Sequence, residues 1–177
     1  SKMVKVEGSK TWNDKDDQDG VRPESITIHL LANGEVVDTK EVTAADNWAW
    51  TFTNLPKYSN GVAIKYTITE DAVDGYTTVV EGYSVVNKHE PEKTSVSGSK
   101  TWVDNDNQDG KRPESITVNL LANGEVVASK EVTAADNWTW TFDNLDKYAA
   151  GEEIIYTVVE EAIEGYNPVY DGLNITN

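Results

Sequence analysis

The chain is one sequence of about 90 residues written twice in succession. Matching residues such as Lys10 and Lys100 lie 90 positions apart throughout, so no insertion separates the two copies. A repeat of this length is too long for one unit of a solenoid. The repeat therefore predicts two complete domains, 1–90 and 91–177. The linker near residues 88–93 is short, charged and contains a proline, which makes it stiffer than a Gly/Ser tether.

The local pattern within each copy is typical of β-strands. Thr, Val, Ile, Tyr and Trp alternate with polar residues. Asn33-Gly34 lies between two such runs, Ser25–Ala32 and Glu35–Val42, and is the strongest short signal for a β-hairpin. We expect about seven short strands in each domain. The predicted fold class is all-β, with two tandem immunoglobulin-like antiparallel β-sandwiches. Further strands are expected at 48–52, 64–70 and 83–87.

Composition limits the partners that the chain can have. Thirty-one acidic residues against fifteen Lys and Arg give a net charge of −16, which disfavours contact with nucleic acid and anionic membranes. There are no cysteines to reinforce two small cores, and no apolar run approaches the length of a membrane span. We expect no cofactor. No signal peptide is recognised at Ser1 and no anchor after Asn177, so we expect a piece of a longer protein.

Three polar residues fall on the apolar face of their strands. Period 2 places Lys10 with Val6, Glu70 with Ile68, and Asn87 with Val85. For any one of them a structural explanation is the commoner one: the lysine could reach water, the glutamate could leave the core at a strand end, and the asparagine could cap a turn. All three share this parity, and the second copy repeats it at Lys100, Glu160 and Asn177.

An amine, an acid and an amide that are buried together can form a covalent cross-link. Burial disfavours the charged forms of an amine and a carboxyl, so the pair can exist as a neutral amine and a neutral acid. The neutral Lys10 amine would attack Cγ of Asn87, while Glu70 relays a proton to the leaving nitrogen. Fixed proximity can contribute about 7–11 kcal/mol to such a reaction. The second copy would join Lys100 to Asn177, with Glu160 as the promoting acid.

The sequence blocks resemble a known family. KTW, DNQDG followed by RP, W-x-WTF, YTV-x-E and a terminal ITN occur in this order, and the likeness covers both copies almost end to end. They are similar to the Cna B-type domain, an immunoglobulin-like module of Gram-positive surface proteins and pilins that includes the B repeats of collagen adhesins. The resemblance implies a self-formed isopeptide bond in each domain between the same lysines and asparagines. It also favours Glu70 and Glu160 over the neighbouring acids Asp71 and Glu161, which strand parity places on the opposite face.

The resemblance implies a stalk or spacer of a cell-surface adhesin or pilus-like protein. Its partners would be neighbouring repeats and, for the full-length protein, a host extracellular ligand. The expected location is the extracellular, cell-wall-anchored surface, with the anchor outside this chain. An alternative is a ligand-binding adhesin module that uses exposed loops or aromatic patches. An enzyme is the least favoured class, because the cross-linking chemistry acts once on its own chain.

Other motifs indicate structure rather than chemistry. Asp14–Gly20 and 104–110 lack the terminal glutamate of a calcium loop, so solvated acidic loops are favoured and calcium binding is left open. Trp48 and Trp50 share the parity of Phe52, which favours core packing over a ligand surface. No zinc site is expected, and no residue is assigned to a metal.

Overall fold

The computed structural model describes residues 2–177 and is built almost entirely of β-strands. The chain divides into two compact units, one up to Pro91 and the other from Glu92 onward. The helical elements of the described range are two 3-10 turns of three residues each. Neither has the length or hydrophobicity of a helix that crosses a membrane.

The first unit contains nine strands, two of which are only two residues long. Seven are longer, as the alternation predicts, and the two-residue pair forms a small additional hairpin. The 3-10 turn, Ala44–Asp46, follows the third strand. The strands are β1 Met3–Asn13, β2 Ser25–Ala32, β3 Glu35–Thr43, β4 Ala49–Pro56, β5 Tyr58–Ser59, β6 Val62–Ala63, β7 Tyr66–Glu70, β8 Thr77–Glu81 and β9 Ser84–Lys88.

The second unit repeats this order of elements. Its 3-10 turn is Ala134–Asp136. Its penultimate strand is three residues long, against five in the first unit. The strands are β10 Lys93–Thr101, β11 Ser115–Ala122, β12 Glu125–Thr133, β13 Thr139–Asp146, β14 Tyr148–Ala149, β15 Glu152–Glu153, β16 Tyr156–Glu160, β17 Val169–Asp171 and β18 Asn174–Thr176.

Two sheets enclose the core of each unit. In the first unit the strand orders are β4-β1-β9-β8 and β3-β2-β7, and in the second they are β13-β10-β18-β17 and β12-β11-β16. One feature departs from antiparallel pairing: the first and last strands of each unit, β1 with β9 and β10 with β18, run parallel. The two sheets of each unit confirm the predicted all-β sandwich class.

The core lies between the inner faces of these sheets. In the first unit Val6, Phe52 and Val85 from one sheet and Ile28 and Leu30 from the other are almost fully buried. These positions follow the period of 2 that the sequence shows, because successive side chains of a strand point to opposite faces. The residues that match them in the second unit form its core.

The tryptophans belong to the core rather than to an exposed patch. Trp50 and Trp140 are each only 4 % exposed. Trp48 lies just before β4 with a left-handed backbone (φ 54°), so the prediction that it begins the strand is wrong. Its ring nevertheless packs against the core. The turn at Asn47 and Trp48 redirects the chain there, which alternation along a strand cannot reveal.

The main hairpin has the predicted turn. Asn33 and Gly34 both adopt positive φ, 48° and 86°, between β2 and β3. Such a backbone matches the twist of the flanking strands, and asparagine and glycine tolerate it best. This hairpin sets the register of β2, whose other edge pairs with β7. The register places Glu70 beside Ile28, at the end of β7.

Candidate cross-linking site

Lys10 lies where β1 changes its pairing partner. Up to Ser9 the strand pairs antiparallel with β4, and from Lys10 onward it pairs parallel with β9. The backbone nitrogen of Lys10 donates to the Trp48 carbonyl at 2.7 Å. The side chain of Lys10 points into the sandwich, where it has no exposed surface. The core position expected from alternation is therefore occupied by an amine.

Glu70 approaches the same point from the opposite sheet. Its side chain is also fully buried, and its Oε2 accepts a hydrogen bond from the Lys10 amine. Residues 10 and 70 belong to different sheets, so this ion pair joins the two layers of the sandwich. Removing one partner of such a buried pair would leave an uncompensated polar group, which is strongly destabilising.

Asn87 completes the set from the last long strand. It pairs with Trp12 in the parallel register, while Val85 pairs with Lys10. Lys10 and Asn87 therefore lie on the same face of neighbouring strands, two residues apart in register. Asn87 has no exposed surface, and neither its Oδ1 nor its Nδ2 has a hydrogen-bond partner among the described residues. Leaving a carboxamide buried without partners costs free energy, and such a group needs an explanation.

The second unit brings all three residues into one hydrogen-bonded chain. The Lys100 amine donates to Oε2 of Glu160, and Nδ2 of Asn177 donates to Oε1 of the same carboxyl at 2.6 Å. The side chains of Lys100 and Glu160 are essentially unexposed. Oδ1 of Asn177 is buried without a partner among the described residues. The carboxyl thus bridges an amine and an amide.

The environment of both amines disfavours the charged form. Burial lowers the pKa of Lys10 and of Lys100 below the ordinary value, although the hydrogen bond and charge of the paired glutamate act in the opposite direction. Each amine also lies 4.5 Å from a tryptophan ring centroid, that of Trp12 or Trp102. The face of such a ring attracts an ammonium, so this contact, like the glutamate, acts against the effect of burial. A lowered pKa increases the fraction of neutral amine, which is the nucleophilic form.

A glycine allows the first and last strands to approach so closely. A Cβ on Gly8 would lie 1.7 Å from the carbonyl oxygen of Tyr83, and one on Gly98 would lie 2.0 Å from that of Leu173. Atoms cannot come that close, so only glycine fits two residues before each buried lysine. The sequence places Gly8 on the same face as Lys10, but the need for glycine is visible only in the tertiary structure.

The neighbouring acids take no part in this arrangement. The Asp71 side chain is 62 % exposed and contacts His29 at 2.8 Å, outside the core. Glu161 is also exposed. This exposure agrees with the parity argument that set both residues aside in favour of Glu70 and Glu160.

Sequence reasoning missed one contact at the site. The Thr78 hydroxyl donates to Oε1 of Glu70 at 3.2 Å. Thr78 pairs with Asn87 across β8 and β9, so the two side chains lie on the same face. Period 2 along β8 could have indicated the face, but not the glutamate that the hydroxyl meets.

The acidic loop beside the site is held by internal donors. Asp14 is 2 % exposed and accepts from Arg22 at 2.7 and 3.1 Å and from the Tyr76 hydroxyl at 2.7 Å. Burial alone would raise the pKa of Asp14, but these hydrogen bonds bring it below its ordinary value. Asp104, Arg112 and Tyr166 repeat the arrangement. Within residues 2–177, no three His, Asp or Glu side chains are grouped as a metal site would require.

Comparison with known proteins identifies the family to which the chain belongs. The family model described as Cna protein B-type domain matches residues 6–88 and again 96–177. A collagen adhesin of Staphylococcus aureus is 44 % identical over 174 residues, which is 97 % of this chain but 15 % of the length of that protein. The chain therefore spans only a small part of this curated relative.

Two solved structures of S. aureus repeats resemble the chain. One is a single B repeat unit (B1) of the collagen binding surface protein, with 43 % identity and a TM-score of 0.50. The match covers 99 % of this chain and 97 % of that one. The other contains two B repeat units (B1B2), with 43 % identity and a TM-score of 0.50, and the match covers 99 % of this chain and 48 % of that one. The chain belongs to the Cna protein B-type domain family and contains two consecutive copies of the domain.

Proposed function

We propose that each domain forms one intramolecular isopeptide bond and that the chain is a load-bearing spacer of a surface adhesin. One observation supports the bond most directly: in each domain a buried lysine amine contacts a buried glutamate, and a buried asparagine lies in, or directly after, the strand that pairs with that of the lysine. Similarity to the repeats of a collagen adhesin supports a structural, adhesin-type role rather than an enzymatic one.

The reaction needs only groups that the site contains. The neutral Lys10 amine attacks Cγ of Asn87, and the protonated Glu70 gives its proton to the carboxamide oxygen. A new C–N bond forms, and the glutamate relays a proton from the lysine nitrogen to Nδ2. The bond from Cγ to Nδ2 then breaks as the oxygen returns its proton to the glutamate and the carbonyl re-forms. The products are a secondary amide and one ammonia. The glutamate returns to its starting state, so no oxidant or cofactor is consumed.

Desolvation and fixed geometry supply the acceleration. The lowered lysine pKa makes the nucleophile available without external base. Holding both groups on adjacent strands of one folded domain removes most of the entropic cost of bringing them together.

The position of the bond explains why it would suit a stalk. It would join the first and last strands across about 78 residues, and by the relation used for disulfides this removes about 4–5 kcal/mol of unfolded-state entropy. Small domains without disulfides have a low free energy of unfolding, so a cross-link would add substantially to it. Tension on the chain ends would enter and leave through these two parallel strands, so the bond would carry the load.

We place this spacer in an extracellular, cell-wall-anchored protein, with neighbouring repeats as its direct partners. The anchor and any site for a host ligand would lie outside this chain. The alternative of a ligand-binding module is weaker, because the tryptophans that could form an aromatic patch are in the core. A strongly acidic surface suits neither nucleic acid nor anionic lipid.

Intact mass tests the proposal. Each bond releases one ammonia, so the purified chain should be about 34 Da lighter than its sequence mass, and about 17 Da lighter for one bond. We expect Glu70→Ala and Glu160→Ala each to abolish one bond, and the double variant to abolish both. Asp71→Ala and Glu161→Ala are matched controls, because they remove exposed acids one residue away and should leave both bonds intact. An unmodified chain with its full sequence mass would refute the bond.

A further inference from the structure

The same oxygen of the promoting glutamate has different partners in the two domains. In the first domain Oε1 of Glu70 accepts from the Thr78 hydroxyl at 3.2 Å, and the Asn87 amide makes no hydrogen bond within the described residues. In the second domain Oε1 of Glu160 accepts from Nδ2 of Asn177 at 2.6 Å. The reactive residues are identical, so the difference must come from their surroundings.

One substitution between the copies removes the hydroxyl that contacts the carboxyl in the first domain. The residue that matches Thr78 is Pro168, which has no hydroxyl. Strand β17 begins only at Val169, whereas β8 begins at Thr77 and pairs its second residue with Asn87. A proline lacks the N–H needed for strand pairing, which agrees with the later start of β17. No side chain at position 168 can therefore compete for the carboxyl.

We propose that Thr78 is a positioning residue that delays bond formation in the first domain, so that the second domain is cross-linked first. The proposal rests on the isopeptide bond argued above. Glu70 must reach Nδ2 of Asn87 to relay a proton to the leaving nitrogen, as Glu160 reaches Nδ2 of Asn177, and the threonine hydroxyl instead holds Oε1 of Glu70. Breaking one such hydrogen bond before reaction corresponds to about a two- to tenfold slower rate.

The delay determines which of the two domains first becomes resistant to extension. In a newly folded chain the second domain would be cross-linked first, while the first domain could still unfold and refold. The order of cross-linking would thus depend on Thr78 and Pro168, which lie outside the three reactive residues of each domain. The two copies therefore serve as controls for each other within one molecule.

Cell-free synthesis of the full 177-residue chain measures the two rates together. Samples are stopped at intervals in acid and denaturant, digested, and analysed by mass spectrometry for the Lys10–Asn87 and Lys100–Asn177 peptides. We expect the first-domain peptide to appear about two- to tenfold more slowly than the second. Thr78→Val, similar in shape but without the hydroxyl, should raise the first-domain rate toward that of the second. Thr78→Ser keeps the hydroxyl and should remain slow.

The direction of the effect separates positioning from damage to the fold. A variant that destabilises the first domain would slow its cross-linking, whereas we expect Thr78→Val to accelerate it. The reciprocal variant Pro168→Thr should slow the second domain and leave the first unchanged. Equal rates in the unmodified chain, or Thr78→Ser behaving like Thr78→Val, would overturn the role of Thr78. Absence of cross-linked peptide from both domains would instead overturn the proposed function.

Discussion

Single residues decide whether the groups of the proposed cross-link can meet. Lys10 and Asn87 are useful only if β1 and β9 lie side by side, and their approach leaves no room for a side chain at Gly8. The glycine is required by packing rather than by backbone conformation, since the obstacle is the Tyr83 carbonyl oxygen. A change that adds one methyl group there must push the strands apart.

We therefore expect Gly8→Ala to destabilise the first domain and to slow its cross-linking. Overpacking of this kind costs about 1–3 kcal/mol or more, because backbone atoms have to move. Chemical denaturation in the Lys10→Ala background measures the free energy of unfolding without the bond, and intact mass measures cross-linking in the otherwise unmodified chain. Ser9→Ala is the control, since Ser9 is the exposed neighbour on the same strand. A Gly8→Ala protein as stable as the Ser9→Ala protein would contradict this account.

At the scale of elements, the end of β9 is fastened to the acidic loop. His89 directs Nε2 at Oδ2 of Asp19 and Nδ1 at the Gly75 carbonyl, both at 2.7 Å. Both partners are acceptors, so only the doubly protonated ring can donate to each. The Tyr76 ring lies 5.4 Å away and Asp14 adds a more distant negative charge. The histidine thus holds the loop and the chain after the last strand together.

This contact predicts a pH-dependent stability of the first domain. The hydrogen bond to Asp19 raises the pKa of His89 above its ordinary value, and the Gly75 carbonyl adds to the effect while burial opposes it. A raised folded pKa means that the stabilisation is complete below about pH 6.5 and is lost as the pH rises through the folded pKa. Histidine NMR signals of the full chain should show His89 titrating above about 6.5, and Asp19→Asn should lower that value.

His29→Asn is the control variant, because His29 lies in the same domain and contacts Asp71 rather than the acidic loop. In the unmodified chain the free energy of unfolding should fall between about pH 6.5 and the folded pKa of His89. His89→Asn should abolish this fall. A pKa for His89 at or below about 6.5 would show that the ring does not donate to both acceptors.

At the scale of the whole molecule, the expected behaviour is that of two closed loops in series. With both bonds present, pulling on the ends cannot extend the residues between Lys10 and Asn87, or those between Lys100 and Asn177. Only the terminal segments and the linker would lengthen. The high negative charge keeps such a chain soluble but contributes nothing to this resistance.

Single-molecule pulling should show this directly. Lys10→Ala should add one unfolding step of about 260 Å, from about 76 released residues at about 3.4 Å each, and Lys10→Ala with Lys100→Ala should add two. The unmodified chain should show neither step. Lys5→Ala serves as the control, because that lysine is exposed on the same strand. Steps of this length in the unmodified chain would mean that the loops are open.

Much of the fold could be read from local patterns. Alternation identified the inward faces, and Asn33-Gly34 identified the main turn, because both depend on neighbouring residues. The same parity singled out Lys10, Glu70 and Asn87, all of which lie in the interior of the sandwich. The strand start at Trp48 was wrong, since a left-handed turn there interrupts the pattern.

What the sequence determined by itself is the repeat, the strand faces and the identity of the three inward polar residues, because period and offset are properties of the chain alone. The tertiary structure decided which groups touch. It set the parallel pairing of β1 with β9, the need for glycine at position 8, and the hydrogen bond from Thr78 to Glu70. Those contacts join strands that are distant in the chain, and their register follows from how two sheets pack, which no local pattern encodes.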